Sequence, residues 1–155
     1  MNNNLIDSTV LIPELIAMER DSALDEVLGA IVDAGVLDAG ARKKVLKQLL
    51  AREAQGSTGL GNGVAVPHVK EADVAEIAVA VAINEAGIGF DAIDGRPVHI
   101  MFVVLGPKGG QPEQHLAALR WVSTLARNAD FRRFAQHVKS AEELRDLLLE
   151  MTEIA

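Results

Sequence analysis

The sequence predicts a single α/β domain over residues 1–155, with α/β/α layers and a central mixed β-sheet flanked by helices. Three observations predict it. Stretches with apolar residues at helical spacing alternate along the chain with β-branched apolar runs, as layered α/β domains require. The β-type runs are apolar throughout, so both faces of those strands need cover. With 155 residues, 49% of them hydrophobic, one sizeable core can be buried, and no internal repeat, low-complexity tract or linker divides the chain.

In chain order, Asp21 and Ser22 offer caps for a first helix. Its apolar Leu24, Val27, Leu28, Ile31 and Val32 share one stripe, and it stops near Gly35. A second helix is expected from about Ala41 to Gln55, carried by Val45, Leu46, Leu49 and Leu50 and broken by the glycines of Gly56-Ser57-Thr58-Gly59. Arg52 falls in its last turn. A glycine-rich loop, Gly59-Leu60-Gly61-Asn62-Gly63, precedes the short β-type run Val64-Ala65-Val66 and then Pro67-His68. Ile77 to Ile83 and Val98 to Leu105 read as two buried strands, with a turn at Asp94-Gly95 between them. Pro112 opens a helix that sets His115, Leu119, Val122 and Ala126 on one face. Ser140 with Glu143 makes a capping box for a C-terminal helix.

Composition excludes several classes of function. The chain has no cysteine, which rules out disulfides, thiolate catalysis and cysteine-based zinc sites and suits the cytosol. Its start, MNNNLIDSTV, lacks a basic segment leading into an apolar one, and no apolar run approaches the roughly 20 residues that span a bilayer. A cytoplasmic protein without membrane insertion is expected. A net charge of −7 repels a phosphate backbone, and four Phe, one Trp and no Tyr provide no base-stacking platform. No nucleic-acid partner is expected.

The most informative stretch runs from Arg52 to His68. Its Gly59-x-Gly61-x-Gly63 spacing is not a nucleotide fingerprint, which must follow a strand and open a helix. Here a helix precedes the glycines and a strand-like run follows, with no Gly-Lys-Ser/Thr ending. Glycines can instead let the backbone approach a small group and turn N–H donors toward an anion such as phosphate. Pro67 fixes its own φ and removes a donor, which ends the apolar run and holds His68 in one orientation. Taken alone, a histidine after a proline is more often structural or exposed.

The segment from Gly56 to His68 resembles the active-site region of the enzyme IIA family, in the fructose/mannitol/nitrogen-regulatory class of the bacterial sugar phosphotransferase system. In that family the phosphorylated histidine closes an apolar Ala-x-Pro-His run, here Ala65-Val66-Pro67-His68. The stretch Ile88-Gly89-Phe90-Asp91-Ala92-Ile93-Asp94-Gly95-Arg96-Pro97-Val98 is similar to the family's central segment. Gln114-His115-Leu116 with Leu119 resembles its second-histidine helix. The likeness runs from about Leu5 to Leu149. It departs at Val69, where many members carry a small residue, and this bears on the entrance to the site.

The resemblance implies that His68 carries the phosphoryl group, with Arg52 and His115 contacting phosphate and Thr58 supplying a polar loop contact. It implies phosphoryl acceptance from an HPr-like phosphocarrier protein, onward transfer to a IIB component, and no cofactor. The alternative is a regulatory protein whose phosphorylation state controls docking to a transporter or kinase. The lack of a membrane segment or a cysteine-bearing second domain leans toward the nitrogen-regulatory type.

The residues suit this chemistry. Neutral imidazole is a competent nucleophile near neutral pH, and the transferred group needs positioning and donors to its three oxygens. A charge-assisted hydrogen bond from Arg52 would contribute about 1.5–3 kcal/mol. Without the resemblance, Arg52 reads as a solvated cation favoured by the helix dipole, and His115 as a satisfied core histidine. His99, in an apolar strand, and His137, on a polar helix face, are expected to be structural. Catalytic zinc needs three protein ligands, and no His-Glu-x-x-His pattern or carboxylate cluster is present, so no metal is expected.

Overall fold

The computed structural model describes residues 3–90 and 94–154. Along the chain run α1 (Asn3–Asp7), β1 (Val10–Ile12), α2 (Arg20–Asp33), a 3-10 turn (Ala39–Ala41), α3 (Arg42–Ala54) and the short strands β2 (Gly59–Gly61), β3 (Val64–Ala65) and β4 (His68–Ala72). The long strands β5 (Ala78–Ile88) and β6 (Val98–Pro107) follow, then α4 (Pro112–Arg127), α5 (Ala129–Ala135) and α6 (Ala141–Ile154). The strands form one mixed sheet in the order β1-β5-β6-β3-β2, with β4 also on β6. The β5–β6 and β2–β3 pairs are antiparallel, whereas β1 on β5 and both β3 and β4 on β6 are parallel.

Side-chain alternation on β5 and β6 divides the core in two. Ala78, Ala80 and Ala82 with Met101, Val103 and Leu105 pack against α2 and α3. Val79, Val81 and Ile83 with Ile100, Phe102 and Val104 pack against α4, α5 and α6. Both strands are therefore covered on both faces, which explains their continuous apolar sequences. The small alanines on the first face let α2 and α3 lie close to the sheet. On the other face Phe102 stacks with Phe131 at a centroid separation of 5.9 Å.

Several element boundaries differ from those expected. The first helix is preceded by Glu19 and not capped by Asp21 or Ser22: Ser22 donates back to the Glu19 carbonyl, and Asp21 lies in the first turn, where the dipole favours an acid. The glycine-rich loop is a β-hairpin. Gly61, Asn62 and Gly63 take φ of 88°, 58° and 79°, the left-handed run a tight hairpin turn demands. The Ser140 cap is present, its Oγ accepting from the Glu143 N–H, while the Glu143 carboxylate accepts from Lys139 N–H. Asn128 caps the unanticipated α5 by accepting from Phe131 N–H, and His137 sits in the turn after that helix rather than on it. The Asp94-Gly95 turn is present, Gly95 having φ of 70°; Asp91, Ala92 and Ile93 lie outside the described residues.

Phe102 is fully buried at the centre of the second core. Its replacement by alanine is expected to destabilise the domain by about 3–5 kcal/mol, read from urea unfolding. Phe134→Ala, at a half-exposed site, should shift stability by no more than about 0.5 kcal/mol.

Candidate active site

His68 opens β4, in register with Val104 of β6. The Pro67 carbonyl accepts from Val104 N–H at 3.0 Å, so the strand is held to β6 right up to the histidine. Alternation sends Val66 and His68 to the α4 face, while Val69 packs on the opposite core beside α2 and α3. The departure from the family pattern at Val69 thus buries its bulk away from the imidazole.

The His68 ring is fixed by its own strand. Nδ1 lies 2.8 Å from the Val66 carbonyl oxygen, which can only accept. Nδ1 therefore carries the proton, and Nε2 keeps its lone pair.

His115 lies in the first turn of α4, where Pro112 opens the helix. The residue is 9% exposed, and its ring centroid is 6.1 Å from that of His68 with the planes tilted by 51°. Neither ring nitrogen of His115 has a hydrogen-bond partner among the described residues. Burial holds its pKa below the ordinary histidine value, with added repulsion from His68 and Lys70. A neutral imidazole that offers one donor and one acceptor therefore faces His68.

Two neighbours of this pair are not apparent from the motif. Lys70, two residues beyond His68 on the same strand face, places a cation near His115. Gly106 on β6 leaves the space that the His115 ring occupies. A β-carbon there would stand 2.7 Å from His115 Nδ1 and 2.8 Å from the Lys70 carbonyl oxygen. Reading residues 68–72 as a strand would have revealed Lys70, but no local signal distinguishes Gly106 from a turn glycine.

Arg52 approaches from the other helix layer. Along α3, Lys44 feels the charge of Asp73 and Gln48 donates to the Glu71 carbonyl, so the helix runs opposite to β4 and its last turn lies toward His68. The Arg52 guanidinium donates to the Gly56 carbonyl at 2.8 Å. Among the described residues β4 pairs only with β6, so no further strand covers its outer edge. Thr58 is 4% exposed, and both its N–H and its hydroxyl donate to the buried Glu53 carboxylate. Its carbonyl accepts from Val66 N–H, which ties the loop to the strand leading into His68.

The hairpin glycines Gly61 and Gly63 lie at the level where β6 begins, away from His68. Gly63 sits at the start of β6, where its carbonyl accepts from the N–H groups of His99 and Ile100. His68 lies four residues further along, beside Val104. His99 is half-buried, its Nδ1 3.1 Å from the Asn84 carbonyl.

This arrangement has clear relatives. The family described as "Phosphoenolpyruvate-dependent sugar phosphotransferase system, EIIA 2" matches residues 4–151. A fructose-specific EIIA component from Haloferax volcanii is 35% identical over 94% of this chain and 96% of its own length. The crystal structure of the nitrogen regulatory protein IIA-Ntr from Neisseria meningitidis superposes with a TM-score of 0.72 at 30% identity, covering 90% of this chain and 96% of the other. The fold is also that of the IIA partner in a complex of enzyme IIAMTL with phosphorylated enzyme IIBMTL from Escherichia coli, at a TM-score of 0.71, 16% identity and 91% and 94% coverage. The α/β/α sandwich and these relatives define an enzyme IIA domain of the sugar phosphotransferase system. Within that class the chain belongs to the EIIA 2 family.

Gly106→Ala should force the His115 ring aside and destabilise the domain by about 1–3 kcal/mol, seen as a lower urea midpoint together with a displaced His115 imidazole resonance. A midpoint and a resonance that both stay in place would contradict the close packing.

A second expectation concerns pH. The folded-state pKa of His115 is lowered, so the unfolded chain binds that proton more readily. The contribution is full above about pH 6.5 and is lost as pH falls from there toward the folded-state value. Between about pH 7.5 and 5, wild type should therefore lose more stability than His115→Asn. Parallel pH profiles for the two proteins would count against it.

Proposed function

We propose that the chain is a cytoplasmic phosphohistidine carrier, in which His68 takes a phosphoryl group from an HPr-like phosphocarrier protein and passes it on. The observation that carries this reading is the state of the two rings. The Val66 carbonyl commits His68 Nδ1 as a donor and leaves Nε2 as nucleophile, opposite a buried histidine whose nitrogens have no partner among the described residues.

In the transfer, the Nε2 lone pair attacks phosphorus, the nitrogen–phosphorus bond to the donor breaks, and the donor imidazole leaves with that electron pair. The His68 ring gains positive character as the new bond forms. Val66 C=O, accepting from Nδ1–H, stabilises that charge. His115, neutral because it is buried, donates its N–H to a phosphoryl oxygen. Arg52 moves from the Gly56 carbonyl to neutralise charge, and the Thr58 hydroxyl turns to the phosphoryl group while its N–H stays on the Glu53 carboxylate and keeps the loop in place. Onward transfer reverses these steps toward a IIB component, the kind of partner named for the Escherichia coli relative.

A second reading, favoured by the likeness to the Neisseria nitrogen regulatory protein, has the same phosphoryl group act as an electrostatic switch that governs docking to a transporter or kinase.

Incubation with phosphoenolpyruvate, enzyme I and HPr should add one acid-labile, base-stable phosphate, located on the His68 peptide by mapping in alkali. His68→Ala should take up none, and labelling at the wild-type level would overturn the assignment. His115→Ala and Arg52→Ala, once shown to be folded by circular dichroism, should still be labelled but more slowly by a factor on the order of 10 to 1,000.

A further inference from the structure

A second cluster of cationic side chains lies at the other end of β6. Arg96, Arg132 and Arg133, with His99 and His137, line a cavity of about 470 Å³ between the hairpin turn, the start of β6 and α5. That is the size of a small-ligand pocket. No aspartate or glutamate is among its lining residues, although the chain as a whole carries a net charge of −7.

The arginines are mostly unneutralised. Among the described residues, neither Arg96 nor Arg132 forms an ion pair, and the Arg132 guanidinium donates only to the Ala126 carbonyl. Asp94, whose carboxylate feels Arg96, spends its oxygens on the backbone N–H groups of Asn62 and Arg96. Arg133 pairs with Asp130 at the exposed rim and lies 4.9 Å over the Phe134 ring. Asp94 and Asp130 offset part of this charge at the rim, whereas Arg96 and Arg132 have no ion-pair partner among the described residues, and their planar forks match phosphate or carboxylate oxygens in pairs.

We propose that this cavity binds a small, multiply charged anion, a metabolite bearing two or more phosphate or carboxylate groups, at a site separate from the phosphoryl-transfer site. His99 lies five residues before Val104, the partner of His68, so the two sites are about 16 Å apart along β6. The net negative charge disfavours a nucleic acid, whose long backbone would meet the repulsive remainder of the surface. A small anion meets the lining itself, which includes no carboxylate. This reading does not depend on phosphoryl transfer at His68.

Calorimetric titration with pyrophosphate and, separately, with citrate tests it. At low ionic strength at least one should bind at a single saturable site with a dissociation constant below about 1 mM, weakening as salt is added. Pyrophosphate binding alone assigns phosphorylated ligands, and citrate alone assigns polycarboxylates. Arg96→Ala and Arg133→Ala, both at exposed positions, should each weaken binding by about tenfold or more, as loss of a charge-assisted pair implies. His68→Ala should bind as wild type does. The proposal is overturned if neither anion saturates a site, if binding survives both arginine substitutions unchanged, or if it is lost in His68→Ala.

Discussion

The antiparallel pairing of β5 with β6, continuous in register from Ala78 opposite Leu105 to Ile83 opposite Ile100, is the contact on which the other elements are hung. Two strands buried on both faces cannot be solvated, so helices must cover each side and every other strand must add at an edge. β1 joins beside β5, while β3 and β4 join end to end beside β6. That last arrangement makes the site. A single partner strand sets the levels of Gly63, His68 and Gly106, and its alternation decides which of them meet α4.

The histidine pair shows how backbone and side chain divide the labour. Val66 C=O determines the His68 tautomer, an interaction wholly within one short segment. His115 depends on distant parts of the chain. The α4 helix delivers it, burial keeps it neutral, and the missing side chain at Gly106 gives it a place to lie. An unpartnered buried imidazole is costly to stability, on the order of 1–3 kcal/mol. Such a group next to a nucleophile is what an arriving dianion would satisfy, so local instability and proposed function share one cause.

Glu53 and Thr58 add a second buried polar element on the approach to His68. A carboxylate that is 5% exposed and accepts from both the N–H and the hydroxyl of Thr58 locks the end of α3 to the loop. Through the Thr58 carbonyl and Val66 N–H, that lock is continuous with the strand that orients His68. The glycines between them form the hairpin, because consecutive left-handed residues are needed to reverse the chain so tightly.

By itself the sequence determined the layered α/β class, the two long strands, the four longer helices and the family, because each rests on a local signal: apolar period, caps, a glycine break, a contiguous motif. The resemblance carried by those motifs implied His68, Arg52, Thr58 and His115, the last three of which the local signals alone left as ordinary structural or solvated residues. Of the short strands only β3 was legible, as the run Val64-Ala65-Val66. β1 and β4 have three and five residues, too few for periodicity to speak, and they are strands only because β5 and β6 offer unpaired edges. The tertiary structure alone decided that His68 and His115 face each other 6.1 Å apart while Arg52 comes from the opposite layer. It alone showed that Gly106 makes room for a ring, that Thr58 is held by Glu53, and that Arg96 and Arg132 share a cavity. These residues lie up to tens of positions apart, and what brings them together is strand register and helix packing, which no local stretch of sequence encodes.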